Sequence, residues 1–263
     1  MNGLCCKQKV TLPLLSWWLI ACFIFLGSTV EAKPQENKNL LMNMASDNLM
    51  SYWGFDEKPG GNTVLDQSTY GNDGIMKEMN AKNIGVAGRV GSALKFDGTS
   101  GYVKVESRNS LDNWNSMTIA LWINPQGSSV DSYTAICGTG LGHRSIAGFF
   151  ALYTSTSPNH LIARITRKSG FSECSISRCF EMGEWVHVAL KWDGKKMYLY
   201  KNGVQQGTIG TYSGIVTDSK NMFGIGCVPD RSYRFNGKLD DLRLYNKALS
   251  DNQIMALYRL GEK

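Results

Sequence analysis

The chain has 263 residues, enough for one large β domain or two small ones, and a formal net charge of +6. At 43% hydrophobic and 19% charged residues it is an ordinary globular mixture, which excludes wholesale disorder, and so mild a basic balance excludes a nucleic-acid-binding role. Glycine is abundant (28) and proline scarce (6) beside 11% aromatics, a balance that suits tightly turned strands better than helices.

The first element is not part of the fold. Lys7 and Lys9 precede an apolar run from Val10 to Leu26, and small residues lead on to Val30-Glu31-Ala32. This is the layout of a secretory signal peptide cut after Ala32. Two rivals stand beside it. The run is long enough to be an uncleaved anchor, and Leu19–Cys22 (LIAC) has the form of a bacterial lipobox, although very apolar residues follow it. Cleavage leaves 26 basic against 21 acidic residues, a balance of +5 that keeps a weak attraction for acidic glycans open. It also leaves four cysteines, Cys137, Cys174, Cys179 and Cys227. An even number in an exported chain predicts two disulfides, with three possible pairings. Cys174 and Cys179 are close enough to clip a turn, and elimination then joins Cys137 to Cys227. The spacing is not that of a zinc site.

Residues 33–48 are polar, weakly patterned and predicted to be a linker. The folded domain is predicted to run from residue 49 to 260. In Met117–Asn124 (MTIALWIN), Met117, Ile119, Leu121 and Ile123 share one face and Trp122 takes the other, so this strand is expected to be covered on both sides. Trp185–Trp192 (WVHVALKW) turns at Asp193-Gly194 into Lys196–Tyr200 (KMYLY), which turns at Asn202-Gly203. Both dipeptides accept positive φ, which predicts an antiparallel meander. Leu239–Tyr245 (LDDLRLY) alternates again. A helix follows, with Ser250 as cap, Gln253 three residues on, and Ile254, Leu257 and Tyr258 as its apolar stripe. Strands throughout with one closing helix predict an all-β, two-sheet antiparallel sandwich or jelly roll.

Seven segments in order then carry a resemblance. They are Tyr52–Glu57 (YWGFDE), Asp66–Gly74 (DQSTYGNDG), Gly91–Gly98 (GSALKFDG), Met117–Trp122 (MTIALW), Glu184–Ala189 (EWVHVA), Leu199–Gly203 (LYKNG) and Phe235–Ser250 (FNGKLDDLRLYNKALS). Together they resemble a laminin-G-like domain of the concanavalin A-like lectin/glucanase superfamily over roughly residues 49–258. The resemblance implies two curved antiparallel sheets. Related glucanases hold calcium with an aspartate of a comparable last strand and main-chain carbonyls of the first two strands. Carried over, the ligands are Asp240, with Asp56 and the carbonyl of Gly98 nearby. Plain alternation places Asp240 on the face of Leu242 and Leu244, and Asp241 on the opposite face with Arg243. A buried carboxylate needs a partner, which calcium supplies; a turn cap or an ion pair with Arg243 is the other reading.

Asp66, Ser68, Asn72 and Asp73 form an oxygen-rich loop without EF-hand spacing, for which Asx turns are the expected explanation. His187 is expected to be structural. His143 and His160 fall in expected loops, with no nucleophile beside them. The paired catalytic carboxylates of a glucanase strand are missing, since Glu181 and Glu184 fall in a turn, so the chain is expected not to be an enzyme. For ligand contact the informative residues are Tyr133, His143, Arg144, Arg164, Arg167 and Tyr233, with Tyr153, Lys168, Phe171 and Arg231 beside them. Trp122, Trp185 and Trp192 are expected to be core.

The expectation is a secreted lectin-like or adhesion module with structural calcium. Its partners would be carbohydrate or extracellular-matrix protein, and a membrane only if the N-terminal segment is retained. A structural component of an extracellular, even mineralised, matrix and a polysaccharide-degrading enzyme are the alternatives.

Overall fold

The structure, a computed structural model, describes residues 48–262 apart from 107–108, 128–132, 140–149, 156–158, 168–169, 212, 215–221 and 229–232. The N-terminal segment and most of the linker lie outside the described residues.

Among the described residues the strands, numbered β1 to β16 along the chain, form two sheets whose strand pairings are all antiparallel. The first sheet runs in the order β14 (Val204–Thr211), β13 (Lys196–Lys201), β12 (Val186–Trp192), β7 (Met117–Pro125), β16 (Asn236–Tyr245), β5 (Ser92–Asp97) and β4 (Ile84–Ala87). In it β1 (Leu49–Trp53) also pairs with β16. The second sheet runs β11 (Gly170–Ile176), β10 (His160–Arg167), β9 (Phe150–Ser155), β8 (Tyr133–Gly138), β15 (Phe223–Ile225), β6 (Tyr102–Val105), β3 (Gly74–Lys77) and β2 (Thr63–Val64).

The core lies between the sheets. Met117, Ile119, Leu121 and Ile123 of β7 meet Ile136, Leu152, Leu161 and Ile165 of the second sheet there, together with Trp53 stacked on Phe223. The predicted two-sided cover of β7 is present. Ala120 of β7 and Ala189 of β12 are small enough to admit helix α1 (Asp251–Leu260), whose Ile254 and Leu257 pack on them with Tyr200 and Tyr245. The predicted capping box starts that helix: Ser250 Oγ accepts from the Gln253 amide at 3.3 Å, and Gln253 Oε1 accepts from the Ser250 amide at 2.8 Å. Trp122 and Trp192 are buried, as expected, whereas Trp185 stands just before β12 and is only half-buried.

One expectation fails for an identifiable reason, and the geometry separates the two halves of another. The first concerns the last strand. Leu239 pairs with Ile123 and Asp240 with Trp122, but the register then shifts, and the next pair on β7 is Arg243 with Ala120. Asp241 occupies this bulge at φ 55. The extra residue breaks alternation, so Asp240 lies on the outer face with Trp122, away from Leu242 and Leu244, and shares that face with Arg243. Asp241, expected on the opposite face with Arg243, is 4% exposed.

The second concerns the cysteines. All four are buried. Cys137 pairs with Leu152 and Ile225 and belongs to the core. Gly226, at φ 75, turns the chain so that the Cys227 sulfur lies where a Cβ on Gly224 would project, 2.9 Å from it. Gly224 alternates with the core residues Phe223 and Ile225, so that sulfur is on the outer side of the sheet. The two thiols therefore occupy opposite faces, which opposes their pairing. Cys174 and Cys179 both lie in the core on either side of a tight turn at Ser177–Arg178.

Candidate functional site

Two places gather the polar and aromatic residues singled out above. The first is the outer face of the first sheet at the β16 bulge. Asp240 Oδ2 accepts the amides of Arg89 (2.7 Å) and Val90 (2.8 Å), in the turn that joins β4 to β5. Its other oxygen, Oδ1, is buried without a hydrogen-bond partner. Asp56, which is exposed, approaches the same turn and takes the Ser92 amide at 2.6 Å. Burial pushes the Asp240 carboxyl up to about 7; the charges of Asp241 and Asp56 add to the rise and the two amides oppose it. A cation would relieve that strain.

Asp240 and Asp56 thus fit the expected calcium ligands, because a hard cation takes carboxylate oxygens and a buried one stands without a partner. Gly98 does not. It is hydrogen-bonded to Phe235, at the opposite end of the β5–β16 ladder, five residues from Asp240 and so roughly 16 Å away at strand rise. Among the described residues no three His, Cys, Asp or Glu side chains gather as a metal cluster.

Across β7 and β12 the row continues from Asp240 to Trp122 and His187, cross-strand neighbours whose rings meet edge to face at 5.3 Å. Arg89 lies 4.7 Å above Trp122 and donates to the Gly261 carbonyl, which holds the end of α1 over the row. His187 is 2% exposed, and burial, helped by the Arg243 charge, lowers it to about 3; its Nδ1 is buried without a hydrogen-bond partner. Asp241 pairs with Arg243 at 2.8 Å, and Arg243 stacks on Tyr52 at 4.2 Å.

The oxygen-rich loop is a set of turns. Both oxygens of Asp66 are used, Oδ1 by the amides of Tyr52 and Ser68 and Oδ2 by the Asn72 amide and the Ser68 hydroxyl.

The second place is the outer face of the second sheet. Register sets Arg164 of β10 between Ala151 of β9 and Glu173 of β11. The Arg164 guanidinium stands 4.1 Å from the Phe171 ring and 5.6 Å from the Tyr153 ring, and Tyr233 meets Tyr153 at right angles at 6.5 Å. Tyr153 is buried with Ala135, Ala151, Ile162 and Val228 in a small outer core, whereas Phe171 is 46% exposed. Tyr133 shares the face but sits on the row of Ser155 and His160, four residues along β10 from Arg164 and about 13 Å off. It belongs to a different spot. His143, Arg144, Lys168 and Arg231 lie outside the described residues. Arg167 ends β10, and its side chain also lies outside them.

Glu173 was missed by the sequence reading, although a signal was available: it shares the parity of Phe171 on a strand paired to that of Arg164. Glu181 and Glu184, the residues nearest to a glucanase carboxylate pair, are both exposed in the turn before β12.

Two antiparallel sheets packed as a sandwich, with one short closing helix, define a lectin-like jelly-roll fold. The chain belongs to the laminin-G type of the concanavalin A-like lectin/glucanases superfamily, whose family pattern matches residues 97–255. A curated relative, adhesion G-protein coupled receptor V1 of Danio rerio, is 26% identical over 183 residues, covering 65% of this chain, which spans 3% of that receptor. Among solved structures, domain 4 of AbnA, an extracellular arabinanase from Geobacillus stearothermophilus in complex with arabinotriose, superposes with a TM-score of 0.54. It is 22% identical and covers 80% of this chain and 98% of its own. The binding domain of Paraclostridial Mosquitocidal Protein 1 has a TM-score of 0.60 at 16% identity, covering 81% of this chain and 52% of its own. Botulinum neurotoxin type C, described with two ganglioside molecules, has a TM-score of 0.61 at 15% identity over 84% and 53% of the two chains. At these identities the solved structures establish the fold alone. Among the described residues no helix is long and apolar enough to cross a membrane.

Proposed function

We propose that this chain is an exported recognition module that binds carbohydrate on the outer face of its second sheet and catalyses no reaction. The observation that carries the reading is the Phe171–Arg164–Tyr153 stack. An exposed ring stands beside a guanidinium that is itself held by a second ring and by a carboxylate. Sugars pack their C–H faces on aromatic rings and exchange hydrogen bonds with planar polar groups, and this corner offers both on rigid strands. Superposing structures are described with arabinotriose and with gangliosides, which supports the class of ligand, and the adhesion-receptor relative supports an extracellular setting. Removal of residues 1–32 accompanies export in this reading.

Calcium belongs to the proposal as a structural ion held at Asp240 with Asp56 beside it, remote from the sugar face. When bound it supplies positive charge to a buried oxygen that the fold leaves without a donor.

The test is a glycan array probed with the full chain, with calcium and with chelator, alongside Phe171→Ala. Binding that this variant loses at an unchanged melting temperature is the expected result. Hydrolysis of the bound oligosaccharide, or an array blank in both conditions, overturns the reading.

A further inference from the structure

The ion pair at this corner is asymmetric. Arg164 Nε (2.9 Å) and Nη2 (2.6 Å) both donate to a single oxygen, Oε2 of Glu173. A fork-to-fork pair would use both carboxylate oxygens. Oε1 of Glu173 takes no part in the pair, and Nη1 of Arg164 likewise stays outside it, which leaves an acceptor and a donor at the same corner. Neither side chain is sealed in, with side-chain exposures of 22% for Arg164 and 34% for Glu173. Phe171 and Tyr153, with ring centroids 4.1 and 5.6 Å from the guanidinium, and the pair to Glu173 restrain its orientation.

We propose that this pair is a specificity-determining element that selects neutral sugars bearing two adjacent hydroxyls. Glu173 Oε1 accepts from one hydroxyl, Arg164 donates to its neighbour, and the sugar ring lies against Phe171. The inference rests on the carbohydrate reading above and narrows it. A hydroxyl is both donor and acceptor, so a vicinal diol satisfies the two groups together. A carboxylated or sulfated sugar would set its charge against Glu173, and Arg164, the one strong cation at the site among the described residues, is already neutralised by that carboxylate. The basic balance of the whole chain points the other way, towards acidic glycans. Local pairing outweighs it because exposed charges farther apart than about 8 Å are largely screened at physiological salt.

The experiment compares the full chain and Glu173→Gln on a biosensor carrying neutral oligosaccharides, arabinotriose and lactose among a wider neutral panel, and the anionic probes sialyllactose and heparin oligosaccharide. The wild type is expected to bind within the neutral panel and to ignore the anionic probes. Glu173→Gln keeps the shape but removes the charge. It should weaken neutral binding by about tenfold or more, the loss of one charge-assisted hydrogen bond. It should also gain anionic binding, because Arg164 is then unneutralised. That gain is a readout that mere loss of folding cannot produce, and the melting temperature of the variant provides a second control. Anionic probes bound more tightly by the wild type, or neutral binding indifferent to Glu173→Gln, overturns the inference and leaves the lectin reading standing. No binding in either panel overturns both.

Discussion

Asp240 stands opposite Trp122 on the outer face of the β16–β7 ladder, and each buries a polar atom, Oδ1 and Nε1, that has no hydrogen-bond partner. Buried groups of this kind are costly, which makes the row beneath the end of α1 the part of the first sheet most sensitive to charge.

Calcium should raise the melting temperature of the domain, and chelation should lower it. A ligand that binds only the folded state stabilises it by about 2.7 kcal/mol at a hundredfold excess over its dissociation constant. Asp240→Asn should remove most of the difference, and scanning calorimetry with and without chelator reads it directly. A wild type indifferent to calcium removes the ion from the account and leaves the fold untouched.

Asp241 is a harsher position than alternation suggests. Its carboxylate is paired with Arg243, itself only 13% exposed at the side chain. Asp241→Asn tolerates the positive φ but leaves the guanidinium buried and unpaired, so urea denaturation should report a loss of about 3 kcal/mol. A change within about half a kcal/mol would show that water already reaches Arg243.

His187 should make the domain sensitive to mild acid. Its folded value, about 3, lies below its ordinary 6.5, so the unfolded chain takes up the proton first as pH falls. The contribution is whole above about pH 6.5 and shrinks by about 1.4 kcal/mol per pH unit below it, towards pH 3. Trp122 and Tyr258 pack on the ring and Arg243 bears on it electrostatically, and among the described residues no carboxylate contributes to favour the charged form. The stability advantage of wild type over His187→Asn should therefore narrow between pH 6.5 and pH 4.5. A constant gap would mean that the imidazole is reached by solvent.

Peptide mapping without reduction should find a Cys174–Cys179 linkage in exported protein, with Cys137 and Cys227 remaining as thiols. The first two share the core on either side of one tight turn, whereas the second two lie on opposite sides of a sheet. A Cys137–Cys227 peptide would require the turn at Gly226 to reverse.

The amino-acid sequence by itself determined the sandwich, the two-sided cover of β7 and the capped closing helix. Those depend on period-two and period-3.6 burial, on Asp-Gly and Asn-Gly turns and on the Ser250–Gln253 spacing, all of which act between near neighbours in the chain. It also marked Arg164, Phe171 and Tyr233 as ligand candidates, and Asp56 and Asp240 as a pair. Tertiary structure alone decided the rest. One extra residue at Asp241 turned Asp240 onto the outer face, and the β5–β16 register carried Gly98 to the far end of the ladder. Pairing of β10 with β11 brought Glu173 to Arg164, and the turn at Gly226 put Cys227 on the wrong side to meet Cys137. Each of these is a matter of register or of a single bulge. A shift of one residue exchanges the two faces of a strand while leaving its hydrophobic pattern almost unchanged, so composition and alternation hold no record of it.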